Sequence, residues 1–336
     1  MTTNRAATIV SALTLTFALG GLTPAEAQRG GQKPRRAAAA RSKAPVALPC
    51  GNIVAFQVLL DRQGFSTGQI GAAANVNTGR ALAAFQTSRQ IAASGKPDCD
   101  TWSGLNGDTA DPTVVDYEIS VEDASGPFSA TIPARLEQQA DLPALEYRSV
   151  LERLSERFHS APALLSSMNR DTKFSAGQHI KVPAVLVFDP DVKPEKDAEA
   201  GEITISVSRV DSSLRATRRD GTLIFFAPVT SGSKHDPLPV GDWKVEGVAW
   251  RPVYHYSPNL FWDANPNDQK ATLKPGPNNP VGLIWIDLNI DHYGLHGTPE
   301  PGRVGVAQSH GCVRLTNWDV ARVAALVKPG TKVEFR

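Results

Sequence analysis

Leu295-His296-Gly297, a Gly/Pro-rich run over 298–308, and then Ser309-His310-Gly311-Cys312-Val313-Arg314-Leu315 carry the reading of this 336-residue chain. The stretch sets one histidine and one cysteine on either side of a loop. A thiol is a weak nucleophile until its proton is taken, and imidazole, which titrates near neutrality, is the side chain suited to take it. The pair His296 and Cys312 therefore points to nucleophilic catalysis. Gly311 before the cysteine and strand-forming Val313 after it place the thiol at a tight turn, where neighbouring N–H groups can converge on an oxyanion. Arg314, His310 and Ser309 bring positive charge and donors to the sulfur, an arrangement expected to lower the thiol pKa and favour a thiolate at neutral pH.

Outward from this stretch the sequence is rich in short β segments. Ile203-Thr204-Ile205-Ser206-Val207, Leu223-Ile224-Phe225-Phe226, Trp243-Lys244-Val245 and Leu283-Ile284-Trp285-Ile286-Asp287-Leu288 are separated by turn formers such as Asp220-Gly221. One helix is predicted after the cysteine. Thr316 with Asp319 forms a capping box, Val320, Val323, Ala324 and Val327 line the inward side, and Pro329-Gly330 end it. Residues 203–336 are thus expected to fold as a mostly β domain.

His296-Gly297 followed at this interval by Ser309 to Leu315 resembles the signature of the L,D-transpeptidases, the YkuD or ErfK family of cell-wall enzymes. The resemblance extends back through Gly276-Pro277-Asn278-Asn279-Pro280-Val281-Gly282 and Pro237-Leu238-Pro239-Val240-Gly241. It implies that Cys312 is the nucleophile and His296 its general base, with the Gly297 carbonyl orienting the imidazole. It implies further that the N–H groups of Gly311 and Cys312 form the oxyanion site. Arg314 would position the loop or a substrate carboxylate, with Ser309 and His310 in the same pocket. The substrate implied is a peptidoglycan stem peptide, opened after its third residue, expected to be meso-diaminopimelate. An amine acceptor then gives a 3-3 cross-link, and water gives a carboxypeptidase. Carbapenem β-lactams are the implied covalent inhibitors, and no cofactor is implied.

Other readings of the same residues are weaker. His292, His296, His310 and Cys312 offer zinc-type ligands, but there is one thiol and no His-Glu-x-x-His run, so no metal is expected. A merely packed cysteine fits poorly with its glycine and charged neighbours. A wall-binding scaffold with an inert catalytic domain is the alternative from a different class.

The N-terminal half reads as smaller modules in a multidomain α+β chain. Over 46–110, Ile53, Phe56, Leu59 and Leu60 fall at helical spacing, stopped by Gly64. Leu82, Phe85 and Ile91 mark a second helix that Thr78 can cap, and Thr101, Trp102 and Leu105 a third short one. Phe56-Gln57 and Phe85-Gln86 resemble the paired Phe-Gln marks of the three-helix peptidoglycan-binding domain, although Gln69-Ile70-Gly71 replaces the family's Asp-Gly loop. Over 113–185, residues 117–122 alternate like a strand, and 147–158 reads as an amphipathic helix with Val150, Leu151, Leu154 and Phe158 inward. The close, Gly177-Gln178-His179-Ile180-Lys181-Val182-Pro183, is similar to the end of a LysM module, a short strand-helix-helix-strand glycan binder whose opening motif is missing here. Residues 186–202, with mixed charge and few apolar residues, are expected to be a linker.

At the start, Arg5, the apolar run 6–22, Pro24 and Ala25-Glu26-Ala27 have the layout of a secretory signal peptide over 1–27, and 28–45 reads as a basic flexible linker. Export to the periplasm and association with the cell wall follow as expectations. In such a compartment Cys50 and Cys99, which bracket one module, suit a disulfide, leaving Cys312 free. The 35 Lys and Arg nearly balance 34 Asp and Glu, so nothing in the bulk charge points to nucleic acid.

Overall fold

A computed structural model describes residues 48–198 and 200–336, all within the compact unit Pro45–Arg336. The expected signal peptide over 1–27 and the whole of the basic stretch over 28–45, together with residues 46 and 47, lie outside the described residues.

Three helices open the described chain: α1 (Ile53–Arg62), α2 (Val76–Ser88) and α3 (Cys99–Gly104). Phe56, Leu59, Leu60, Leu82, Phe85 and Leu105 pack into one core, as their spacing predicts. The second helix starts earlier than expected. Asn75 is its N-cap, and Thr78 completes a capping box from the third helical position. Cys50 and Cys99 are disulfide-bonded and close a loop of sequence separation 49, a constraint on the unfolded chain of about 4 kcal/mol.

The middle segment runs β1 (Val114–Glu118), α4 (Val121–Ser125), α5 (Leu136–Ala140), α6 (Val150–Arg157), α7 (Pro162–Met168) and β2 (His179–Pro183). Its two strands pair antiparallel from Val114↔Pro183 to Glu118↔His179. Ile119, Leu154, Phe158, Leu165, Ile180 and Val182 form its core. The strand expected over 117–122 ends at Glu118, because Ser120 and Asp123 form a reciprocal capping box that turns the chain into α4.

The remaining strands are β3 (Ile203–Ser208), β4 (Ser213–Arg218), β5 (Leu223–Pro228), β6 (Thr230–Ser231), β7 (Gly241–Trp250), β8 (Tyr254–Tyr256), β9 (Ala271–Leu273), β10 (Ile284–Leu288), β11 (Gly294–His296), β12 (Val313–Arg314) and β13 (Lys332–Phe335), with α8 (Asn317–Leu326) before the last. Nine of them form one mixed sheet in the order β5-β4-β3-β13-β7-β10-β11-β12-β6. Long β7 joins its halves, since Gly241 to Lys244 pair with β13 and Val245 to Trp250 with β10. Alternation explains the core. Ile203, Ile205 and Val207 point one way from β3, and they share a cluster with Ile284, Ile286, Leu295, Val313 and the Trp318, Val320, Val323 and Ala324 face of α8. Thr316 caps α8 by accepting from the Asp319 N–H.

The stretch 186–202 is not a free linker. Phe188 is buried in the β-domain core, and the Lys196 ammonium donates to the Ala324 and Val327 carbonyls, both at 2.7 Å. A cation at the carbonyl end of a helix is favoured by the helix dipole, which a charge-and-proline reading of the segment misses. The modules likewise pack on one another. Phe226 of β5 enters the core of the three helices, and Asn77 donates to the Val304 carbonyl at 2.8 Å.

Candidate active site

The site is built on β11 and β12, which run parallel with Leu295 opposite Val313 and His296 opposite Arg314. Leu295 and Val313 point into the core. Side chains alternate along a strand, so His296 and Arg314 project from the opposite face, with Cys312 in the bend just before β12. The loop over 298–308 connects the two strands, and the Leu315 N–H closes onto the His296 carbonyl at 2.8 Å.

His296 is buried. Its Nδ1 lies 2.7 Å from the Gly297 carbonyl, which can only accept, so Nδ1 carries the proton and Nε2 keeps a free lone pair. Burial, reinforced by the Arg314 charge and opposed by the Gly297 hydrogen bond, lowers the imidazole pKa to about 3. The ring is neutral at physiological pH. Trp285, opposite His296 across the β10–β11 pair, stacks on it with centroids 5.4 Å apart and planes 20° apart.

The Cys312 thiol donates to the His292 carbonyl at 3.4 Å in the resting structure. Its pKa is raised, not lowered as the clustered charges led one to expect. Burial dominates, and the Gly294 N–H and Arg314 only partly offset it. Gly311 sits at φ +103°, and a Cβ there would come within 2.5 Å of the Tyr293 ring, so only glycine fits the turn. The N–H groups of Gly311 and Cys312 have no acceptor among the described residues.

The other expected site residues have distinct places. Ser309 is buried, its hydroxyl donating to the Cys312 carbonyl at 2.7 Å and accepting from the Gly232 N–H at 2.6 Å, so it braces the turn instead of facing the cleft. His310 turns to Asp263, with Nε2 2.7 Å from Oδ1, and meets the Phe261 ring edge-on at 5.0 Å. Arg314 lies beside Thr230, Thr298 and Glu300 and has its pKa lowered by burial, and its buried Nε has no hydrogen-bond partner. Trp285, Tyr254, Tyr293 and Asp263 were not read from the sequence. Trp285, Tyr254 and Asp263 reach the site from other strands and loops, and Tyr293 from the turn just before β11. Tyr254, raised to about 12 by burial and then by the Cys312 charge, is one of them. Its aromatic strand YHY was the only signal available. No cluster of three His, Cys, Asp or Glu placed to hold a metal ion occurs among the described residues.

Residues 202–335 match the L,D-transpeptidase catalytic domain family, YkuD. A Bacillus licheniformis protein named putative L,D-transpeptidase YkuD is 30% identical over 161 residues, which are 48% of this chain and 76% of that protein. The chain belongs to the YkuD family of L,D-transpeptidases. Probable L,D-transpeptidase YbiS of Escherichia coli K12 is 26% identical over 211 residues, covering 61% of this chain and 62% of its own length. Among solved structures, an L,D-transpeptidase from Mycobacterium smegmatis aligns over 40% of this chain and 58% of its own, at 19% identity and TM-score 0.33. The chain thus spans less than two thirds of the last two. In this YkuD-family protein the family match ends where β13 ends and begins just before β3, outside the helical module and the middle segment.

Proposed function

We propose that this protein is a cysteine acyltransferase of peptidoglycan, an L,D-transpeptidase that takes tetrapeptide stems as acyl donors. One observation carries the reading: a buried imidazole, neutral and donating through Nδ1 to the Gly297 carbonyl, stands on β11 opposite Arg314, two residues along the chain from the free thiol of Cys312. His296 Nε2 takes the thiol proton as Sγ attacks the carbonyl joining the third stem residue, expected to be meso-diaminopimelate, to D-alanine. The oxygen of the tetrahedral intermediate is received by the N–H groups of Gly311 and Cys312. The C–N bond breaks, His296 returns the proton to the leaving amine, and a thioester remains on Cys312. An acceptor amine then attacks the thioester, the C–S bond breaks, and the thiol recovers its proton. The Arg314 guanidinium lines a pocket with Thr230, Thr298 and Glu300 and would pair there with a substrate carboxylate.

The signal-like start supports export to the periplasm, and the first two modules support contact with glycan. The test is mass spectrometry after incubation with disaccharide-tetrapeptide. Cross-linked dimers lighter by one D-alanine are expected. Tripeptide products alone would reassign the enzyme as a carboxypeptidase, and an unchanged substrate would leave a wall-binding scaffold.

The pKa directions give a second expectation. With His296 protonating only near pH 3 and the Cys312 thiol raised, the reactive pair is a neutral thiol beside a neutral imidazole. Acylation by a carbapenem should therefore hold a plateau from about pH 5 to 8, without the acid limb near 6.5 that an ordinary histidine produces. Stopped-flow or mass-based rates across that range check it. A rate falling about ten-fold per unit below pH 6.5 would mean that His296 titrates like an ordinary imidazole and is not held neutral by burial.

A further inference from the structure

The peptide that orients His296 rests on a side chain bonded to the middle segment. Gly297, whose carbonyl accepts the hydrogen bond from His296 Nδ1, has its Cα against the Asn317 carboxamide oxygen, and so does Gly282; a Cβ at either would overlap that oxygen. The same oxygen accepts the Leu283 N–H at 3.1 Å. The Asn317 amide then donates to both oxygens of Glu156, at 3.2 and 3.0 Å, and Tyr147 donates to the second at 2.9 Å. Glu156 and Tyr147 belong to the middle segment, and both are buried. Alongside, the Leu145 N–H donates to the Pro275 carbonyl at 3.3 Å, the Leu145 carbonyl accepts from the Asn278 N–H at 2.9 Å, and Arg148 donates to the Asn278 side chain at 2.9 Å. The middle segment therefore lies along the Gly-Pro-Asn-Asn loop that leads to Gly282.

We propose that Glu156 is a positioning residue for the His296 ring, acting through Asn317 and the Gly282–Gly297 contact, so that the middle segment completes the catalytic centre as a brace. Nothing in α6 requires a carboxyl at this place. Its amphipathic pattern is served by Leu154 and Phe158, and burial raises the Glu156 pKa to about 8. A buried carboxyl kept mostly uncharged at neutral pH and held by one amide and one hydroxyl is costly to maintain unless the amide's position matters. Asn317 lacks a substitute: without Glu156 its NH₂ would keep only the Pro277 carbonyl, at 3.3 Å. The amide would be free to turn, and the peptide of Gly297 would lose the surface it rests on.

This rests on the reading of His296 as base, so the test uses the full-length protein and a readout independent of catalysis. Glu156→Leu removes the acceptor with little change of volume, whereas Glu156→Gln keeps an oxygen for Asn317 and turns its NH₂ to the Tyr147 hydroxyl. In wild type the His296 Nδ1–H should give a protected downfield NMR resonance. Expected in Glu156→Leu is a broadened or shifted resonance, together with a carbapenem acylation rate constant at saturation at least ten-fold lower and an unchanged half-saturating concentration. Glu156→Gln should restore both to within three-fold. If Glu156→Leu does not fold, Tyr147→Phe, which removes only the hydroxyl that fixes Glu156, should show the same pattern at about three-fold. A folded Glu156→Leu or Tyr147→Phe with the wild-type rate and resonance overturns the proposal. Absence of any adduct in wild type would instead overturn the acyltransferase reading, and the ring resonance would still decide the brace.

Discussion

Cys312→Ala is expected to form no covalent adduct with a carbapenem under conditions in which the wild-type protein gains the mass of one intact inhibitor. The expected step joins Sγ to the lactam carbonyl and breaks the ring C–N bond. The nitrogen takes a proton and nothing leaves, so the shift equals the whole reagent. Only one sulfur can do this in the oxidised protein, because Cys50 and Cys99 hold each other and Cys312 is the free cysteine. The variant should stay folded. The thiol makes one weak hydrogen bond, to His292, and the turn around it is held by Ser309, which grips the Cys312 backbone carbonyl rather than its side chain. A circular-dichroism melt within about 1 kcal/mol of wild type is the control. An adduct of unchanged mass in Cys312→Ala would remove Cys312 from the chemistry.

The sequence made this residue legible because its meaning is local. Gly311, Cys312 and Val313 specify a turn and a strand start within three residues, and the β segments and α8 carry alternation and capping signals of the same short range. The electrostatics were not legible in that way. Counting charges near Cys312 predicts a lowered pKa, but burial acts on the same group in the opposite direction, and it depends on segments such as His292 to Gly294 and Tyr254 that only the fold brings beside the thiol. Glu156 illustrates the same limit. In α6 it sits among Glu152, Arg153, Ser155 and Arg157 and reads as part of a solvated face, yet it is buried because the helix is covered on that side by α8. The stretch 186–202 failed for a related reason: Lys196 reads as a solvated charge until the end of α8 is placed beside it. At Ser120 the signal is local and present in the sequence, since Ser120-Val121-Glu122-Asp123 spells a capping box.

His296→Ala is expected to lower the acylation rate at pH 7 by about 10²–10⁴-fold, the range for loss of a positioned general base. The upper part of that range is favoured by the state of the thiol. With its pKa raised by burial, Cys312 supplies little thiolate on its own, so almost all of the wild-type rate must pass through proton transfer to Nε2. That argument has a consequence a merely structural loss would not share. Without the imidazole, solvent must ionise the thiol, and the residual rate should climb about ten-fold per pH unit from pH 6 to 9. Wild type should stay on its plateau up to about pH 8, because its base is already neutral and its thiol still protonated. The two profiles should therefore converge as pH rises. Removing the ring also leaves Trp285 without its stacking partner and the Gly297 carbonyl without its donor, so some of the loss at every pH is misplacement of the loop. His296→Gln separates the contributions: its amide can still donate to the Gly297 carbonyl but is far too weak a base to take the thiol proton. If His296→Gln recovers most of the wild-type rate at pH 7, or if the His296→Ala profile is flat, His296 is holding the loop and another group accepts the proton.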